Sequence, residues 1–350
     1  MIRRIRGKMS IKQSIKNTVP EPLWNELRGI KEQISGGKAR RVQSRRFMRW
    51  VSRNSSTDKI RIETRLAFGI HRLEKGLSHI QFRDGFGRGV LADISRRMSL
   101  LEKADSEYQY NPLYLQGLAV LHEYQRRHEA DGYDLSSVKD MFPEHIWNAA
   151  CKYQLEDHVV KAGSFTMNSS SKSDNLNKGF VELAEHRYSV REYSSEPVSQ
   201  KLLDEVYAVA MKTPSVCNRQ ATRVYQITDS EKIEQALKIQ GGFGGYAMPP
   251  VLLLVTSDIR AFMNSDERNE PFVDGGLFSM SLLYALEAYG LAACPLNAMF
   301  SLSQDRATRK LLNIPDYELP IMYITVGDFP DSVPVCRSTR RTPESIVTRI

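Results

Sequence analysis

The chain has 350 residues, 41% of them hydrophobic and 26% charged, which is enough material for two domains and a sizeable core. Its four cysteines, Cys151, Cys217, Cys294 and Cys336, are far apart and form no Cys-x-x-Cys pair, so neither a disulfide framework nor a cysteine zinc site is indicated and a reducing cytoplasm is the expected setting. The net charge of +8 is unevenly placed: residues 1–56 hold fifteen Lys/Arg against three Glu, a net of +12, which leaves −4 for the rest.

In this basic extension, 1–56, the pairs Arg3-Arg4, Arg40-Arg41 and Arg45-Arg46 are interleaved with Ile5, Ile11, Ile15, Leu23, Trp24, Phe47, Met48 and Trp50. Two readings stay open. One is a solvated, partly disordered extension; the other is a segment that touches an anionic membrane surface or a polyanion. Nucleic acid is not favoured. No short apolar run of signal-peptide type opens the chain, and no apolar run is long enough to span a bilayer, since even Gly275 to Leu296 contains Glu287. A cytoplasmic protein, soluble or peripheral at the inner membrane face, is expected.

Residues 57–163 read as a helical domain. Helices are expected over Thr57 to Lys75, Gly89 to Tyr108, Pro112 to Asp131 and about Pro143 to Lys152, with Gly76 and Gly132 as stops and Pro112 as a start. The charged run His71-Arg72-Leu73-Glu74-Lys75-Gly76 could reach into a site, but a helix C-terminus with cations near its dipole is the simpler explanation. His122-Glu123 is followed by His128 at the wrong spacing for a His-Glu-x-x-His site, so no metal is expected.

A polar stretch, 164–178, reads as a linker, because Asn168 to Asn175 has almost no apolar content. Beyond it, in 179–350, helices and strands alternate: helix Gln200 to Lys212, strand Arg223 to Thr228, helix Ser230 to Lys238, strand Val251 to Thr256, helix Asp274 to Tyr289, strand Ala292 to Pro295, helix Gln304 to Leu312 and strand Leu319 to Gly327. The class is α/β or α+β, and pattern alone leaves the strand order open. The glycines of Gly241-Gly242-Phe243-Gly244-Gly245 precede a strand and open no helix, so they form no dinucleotide fingerprint and read as a mobile loop. Phosphate-loop and hydrolase-elbow motifs do not occur.

Two motifs carry chemistry. Arg187-x-Ser189-x-Arg191 sets two guanidinium forks and a hydroxyl along an extended segment, a geometry suited to phosphate. Pro214-Ser215-x-x-Asn218-x-Gln220 follows about twenty residues later and joins a rigid turn to two side-chain amides, each of which both donates and accepts. In this order and spacing the pair resembles the FMN-binding nitroreductase family, from about Gly179 to the C-terminus, or half the chain.

The resemblance implies an α+β sandwich with a mostly antiparallel central sheet, preceded here by a helical N-terminal region. It also implies the helix from Asp274 in the core and a homodimer with FMN at its interface. Arg187, Ser189 and Arg191 would hold the FMN phosphate and ribityl end, with Arg341, or next Arg340, closing that pocket. Pro214, Ser215, Asn218 and Gln220 would meet the flavin, and Pro295, Leu296, Asn297 and Ala298 would run beneath its ring. Asn297 and Ala298 depart from the family's usual Glu and Gly, and Ala221-Thr222 from its usual Pro-Trp. The activity implied is ping-pong hydride transfer from NADH or NADPH through flavin N5 to a small-molecule acceptor, with no catalytic side chain. Two other readings remain: an FMN-dependent dehydrogenase or oxidase in a biosynthetic pathway, and a non-catalytic flavin fold serving as a membrane-surface or assembly module.

Overall fold

A computed structural model describes residues 20–81, 83–154 and 160–350. The apolar and basic residues of the extreme N-terminus, Arg3 to Ile15, lie outside the described residues. The described residues divide into two compact units, one of 20–51 with 260–270 and one drawn from 52–259 with 271–350.

In the first unit, helix α1 runs over Glu21–Trp50. Where the sequence leaves room for a partly disordered extension, residues 21–50 form thirty helical residues. Pro22 stands in the first turn, no proline interrupts the interior, and Glu21 and Arg49 complement the dipole at the two ends. Little of α1 is buried: Leu23, Leu27, Ile30 and Ile34, spaced along one helical stripe, are each about half exposed. Gly36 approaches the side chain of Ser265, and Gln43 donates to Asn269 Oδ1 at 3.4 Å.

The second unit opens with helices α2 (Lys59–Leu77), α3 (Arg88–Ala104), α4 (Pro112–Ala130), α5 (Ser136–Lys139) and α6 (Glu144–Cys151). Asp58 and Asn111 cap α2 and α4 by accepting backbone N–H groups. The helices enclose a core of Leu66, Ile70, Leu73, Leu91, Met98 and Leu121, every one nearly inaccessible. The chain runs one residue past Gly76 before it leaves the helix, so glycine there weakens the helix without ending it.

Residues 164–178 are not a bare tether. They carry strand β1 (Ser164–Asn168) and two short 3-10 turns, and β1 pairs antiparallel with β6 (Ser332–Cys336), Ser164 opposite Cys336. Helices α7 (Phe180–His186), α8 (Gln200–Ala210), α9 (Ser230–Gln240), α10 (Glu270–Ala288) and α11 (Leu302–Leu312) surround a four-stranded sheet of β2 (Thr222–Ile227), β3 (Val251–Asp258), β4 (Ala292–Asn297) and β5 (Glu318–Gly327). Its order is β2-β3-β5-β4, antiparallel throughout, and the class is α+β. All eight residues of β3 are buried, as a central strand covered on both faces requires. Val251, Leu253 and Val255 face α8 and α10, whereas Leu252 and Leu254 pack with Ile233 and Leu237 of α9. Gly275 lets α10 lie close on the sheet, since a Cβ there would stand 2.8 Å from Ile321.

Candidate functional site

The segment after α7 crosses the outer edge of the sheet and places the first basic motif. Val190 N donates to Ala293 O of β4 at 3.0 Å, and Tyr193 Oη donates to Thr325 Oγ1 of β5 at 2.6 Å. These two bonds fix Arg191 beside Cys294. Ser189 hydrogen-bonds the Cys294 thiol, and the charge of Arg187 is felt there as well, so all three motif residues converge on one strand.

Arg191 is only 7% exposed. Its Nη1 donates to Ser189 O at 3.3 Å and to Cys336 Sγ at 3.5 Å, while its buried Nε has no acceptor. Among the described residues no carboxylate pairs with it. Burial pushes the Cys294 and Cys336 thiols up from their ordinary values, so both are neutral at pH 7 and neither serves as a counter-ion. Glu192, next in sequence, accepts backbone N–H groups of Ile80 and Ala247 and turns its Oε1 toward His79 Nδ1 at 4.0 Å, away from the Arg191 guanidinium. A buried cation with an orphaned donor is costly unless something accepts from it.

The C-terminal turn of α2 reaches the same place. Lys75 Nζ donates to Gly242 O at 2.6 Å, Tyr246 Oη donates to Lys75 O at 2.8 Å and lies 3.0 Å from Ser78 Oγ, and Cys336 Sγ lies 3.5 Å from the same Ser78 hydroxyl. His79 stacks on Tyr246 with ring centroids 3.9 Å apart, and the Arg191 guanidinium stands 6.0 Å from that ring. Burial and the charge of Arg191 lower the pKa of Lys75; burial, then Lys75 and Arg191, lower that of His79. The glycine loop expected to be mobile is therefore tied down: Phe243 and Tyr246 are buried, Gly242 holds Lys75, and Gly245, at φ +90°, leaves space for the His79 ring that a Cβ would meet at 3.0 Å. The density of charged residues from His71 to Lys75 leaves open that this run reaches a site, though a charged helix end is the simpler reading; His79, beyond the run, carries no such signal.

The second motif forms a tight turn at the other edge of the sheet. Val216 N donates to both carboxylate oxygens of buried Asp274, at 3.1 and 3.2 Å, and Gln220 N donates to Ser215 Oγ at 2.9 Å. Cys217, Asn218 and Gln220 all take positive φ, and Gln220 Nε2 donates to Asn218 Oδ1 at 3.1 Å. Pro214 leads into this turn. Within one chain it is far from Arg191. Cys294 stands level with Ile227 through Thr325 and Leu252, five residues or about 17 Å along from Thr222, and three strand spacings, about 14 Å, separate β4 from β2.

Pro295 and Leu296 continue β4 from Cys294, and the strand ends at exposed Asn297, whose carbonyl accepts from Gln240 Nε2 at 3.1 Å and whose Oδ1 accepts from Met299 N at 3.3 Å; Ala298 follows outside it. Arg340 and Arg341 are not brought to Arg191. Arg341 is half exposed and lies 3.7 Å from Glu63 in the first turns of α2, twelve residues or about 18 Å from Lys75; both arginines line a separate cavity of about 400 Å³ with Lys59 and Asp105. β6 carries the chain past Arg191 at Cys336, so only the first residues after the strand stay near it. There Arg337 stacks over Phe165 at 5.1 Å.

Fold and site together define an α+β protein with a partly buried cationic cluster at one sheet edge, in which Arg191 and Lys75 have no carboxylate partner among the described residues. Its C-terminal half matches the sequence model of the Nitroreductase family over residues 184–243 and 242–328. Among curated proteins it is 27% identical over 167 residues to the NAD(P)H-type FMN reductase of Bacillus subtilis strain 168, covering 43% of this chain and 66% of that protein. It is 24% identical over 159 residues to a Cr(VI) reductase of Pseudomonas sp. strain G-1, covering 42% and 65%. The chain thus spans just under two thirds of the length of these relatives. Among solved structures it is similar to a Bacillus subtilis protein described as a nitroreductase, at 20% identity and TM-score 0.43, covering 49% of this chain and 98% of that one. It is similar as well to a Desulfovibrio desulfuricans protein so described and solved in complex with FMN, at 19% identity and TM-score 0.43, covering 49% and 97%.

Proposed function

We propose that the protein is an FMN-dependent NAD(P)H oxidoreductase of the nitroreductase type. The observation that carries this reading is the buried Arg191 Nε without an acceptor, set between two neutral thiols and beside Lys75. Such a site fits an anionic ligand that can accept several charge-assisted hydrogen bonds. Arg187, Ser189 and Arg191 would hold the phosphate and ribityl end of FMN, and the backbone of Pro295 to Ala298 would run beneath the ring. When bound, FMN supplies hydride acceptance and donation at N5. The chain supplies binding and orientation, and the buried surroundings of Arg191 keep competing water away from the anion it holds.

Reductant and acceptor would use the same flavin face in turn, a ping-pong order, with a small molecule as final acceptor. Purified protein is expected to be yellow and to release FMN on heating; a colourless protein that takes up no added FMN overturns the reading. Rapid mixing with NADH or NADPH separates it from an FMN-dependent dehydrogenase, which either reductant would reduce only slowly.

The separation of Asn218 and Gln220 from Arg191 supports a homodimer as part of the same proposal, each copy lending its turn to the other's site. Exposed Phe272, Val273 and Leu277 on α10 give such a pairing an apolar surface. Light scattering should give twice the chain mass, and Leu277→Glu should reduce it to one chain with loss of bound FMN. A wild-type mass of one chain overturns the dimer.

A further inference from the structure

We propose that Lys75, from the helical region outside the family-matched residues, is an anion ligand of the Arg191 site, binding a phosphate group together with Arg191. In assigning that phosphate to FMN, the inference rests on the reading above; the anion site itself does not.

Four observations converge on it. Lys75 belongs to the last turn of α2, where a cation beside the helix dipole would point to solvent, yet its side chain crosses to the glycine loop and donates to Gly242 O at 2.6 Å. An ammonium has three donors, and among the described residues this carbonyl is the only hydrogen-bond partner of the Lys75 ammonium, so further donors are available. Its position is enforced from both sides by the Tyr246 hydroxyl, which bonds Lys75 O and Ser78. Finally, Lys75 and Arg191 are close enough to repel, and among the described residues no carboxylate forms an ion pair with either. The nearest acid on the helix, Glu74, is spent: its Oε1 accepts from Gly163 N and Ser338 N, and its Oε2 faces His71 at 3.6 Å.

Two cations confined together, one with an orphaned buried donor, make a preorganised receptor for a compact dianion. A phosphate monoester has the charge and the number of acceptor oxygens to engage the Arg191 fork and the Lys75 ammonium together. The ordinary role of C-terminal basic residues in closing such a pocket would thereby pass to the N-terminal half of the chain.

The test uses the full-length protein, with Lys75→Met removing the charge and Lys75→Arg retaining it. In fluorescence titrations, Lys75→Met is expected to weaken FMN binding by at least about tenfold and to leave riboflavin, which lacks the phosphate, within about twofold of wild type. Lys75→Arg should recover most of the FMN affinity. Inorganic phosphate should raise the melting temperature of wild type and not that of Lys75→Met, which reads the anion site with no flavin present. Equal losses for FMN and riboflavin, or FMN affinity unchanged in Lys75→Met, would overturn the assignment to FMN. If wild type binds no flavin, the functional reading fails and the phosphate melts alone decide: Lys75-dependent protection upholds the anion site, and its absence overturns it.

Discussion

Arg191 and Arg341 are both guanidinium groups of the C-terminal half, and their surroundings could hardly differ more. Arg191 is buried, has an unsatisfied Nε and meets no carboxylate, whereas Arg341 is half exposed and lies 3.7 Å from Glu63. An exposed pair gains little because water screens it and two long side chains must be held still. A buried cation without a counter-ion is a standing cost to the folded state. Lys172 completes the series. It is as buried as Arg191 but has its counter-ion, Glu287 Oε1 at 2.5 Å, and it also donates to His186 O.

These three cations should respond differently to removal. The largest effect is expected for Lys172→Met, which strands Glu287 in the core and should cost about 3–5 kcal/mol of stability in urea denaturation. A loss below ~1 kcal/mol would break the comparison. Arg191→Met should do the opposite to the ligand-free protein, leaving its melting temperature unchanged or higher, while weakening FMN binding by more than about tenfold, the worth of one charge-assisted bond. Destabilisation comparable to that of Lys172→Met would mean that Arg191 is structural. Arg341→Gln should change stability by less than about 1 kcal/mol and leave FMN affinity within about twofold of wild type. A tenfold loss of affinity there would restore the C-terminal arginine to the pocket.

The gentlest test is acid. Burial, Lys75 and Arg191 hold the folded pKa of His79 below its ordinary 6.5, so the unfolded chain binds more protons in that window. Stability from this group is complete above about pH 6.5 and falls as pH drops from there toward the folded value. His79→Gln should flatten that part of the pH–stability curve, and saturating phosphate should shift it to lower pH-sensitivity by favouring the charged ring. An identical curve for wild type and variant would remove His79 from the cluster.

Much of this architecture could be read from the chain alone, and for identifiable reasons. The helix expected from Asp274 and the strands expected from Val251 and Leu319 are elements whose apolar pattern matches their burial, and each appears within a few residues of its expected limits. Strands β1 and β6 were not legible. Ser164 to Asn168 alternates polar residues with Phe165 and Met167 but is only five residues long, and it becomes a strand by pairing with a segment more than 160 residues away. The Arg187-Ser189-Arg191 motif could be read because its three members share one extended segment; for Lys75 the charge density was visible, but nothing local says which way a long side chain leaves a helix end. Arg340 and Arg341 illustrate the converse. Composition near a C-terminus fixes charge but not where a chain leaving a strand will turn.

The β1–β6 pairing also bears on how this chain can be cut. A fragment beginning at residue 179 would contain every residue that matches the family, yet it would leave β6 an open edge and Glu287 without either Lys172 or Asn175, whose Nδ2 donates to Glu287 O at 2.6 Å. The family-matching stretch is thus no transplantable cassette. Its lower boundary for expression, domain exchange or fusion lies before Gly163, and since Gly163 N and Ser164 N are themselves held by Glu74 and Glu123, the practical boundary recedes into the helices.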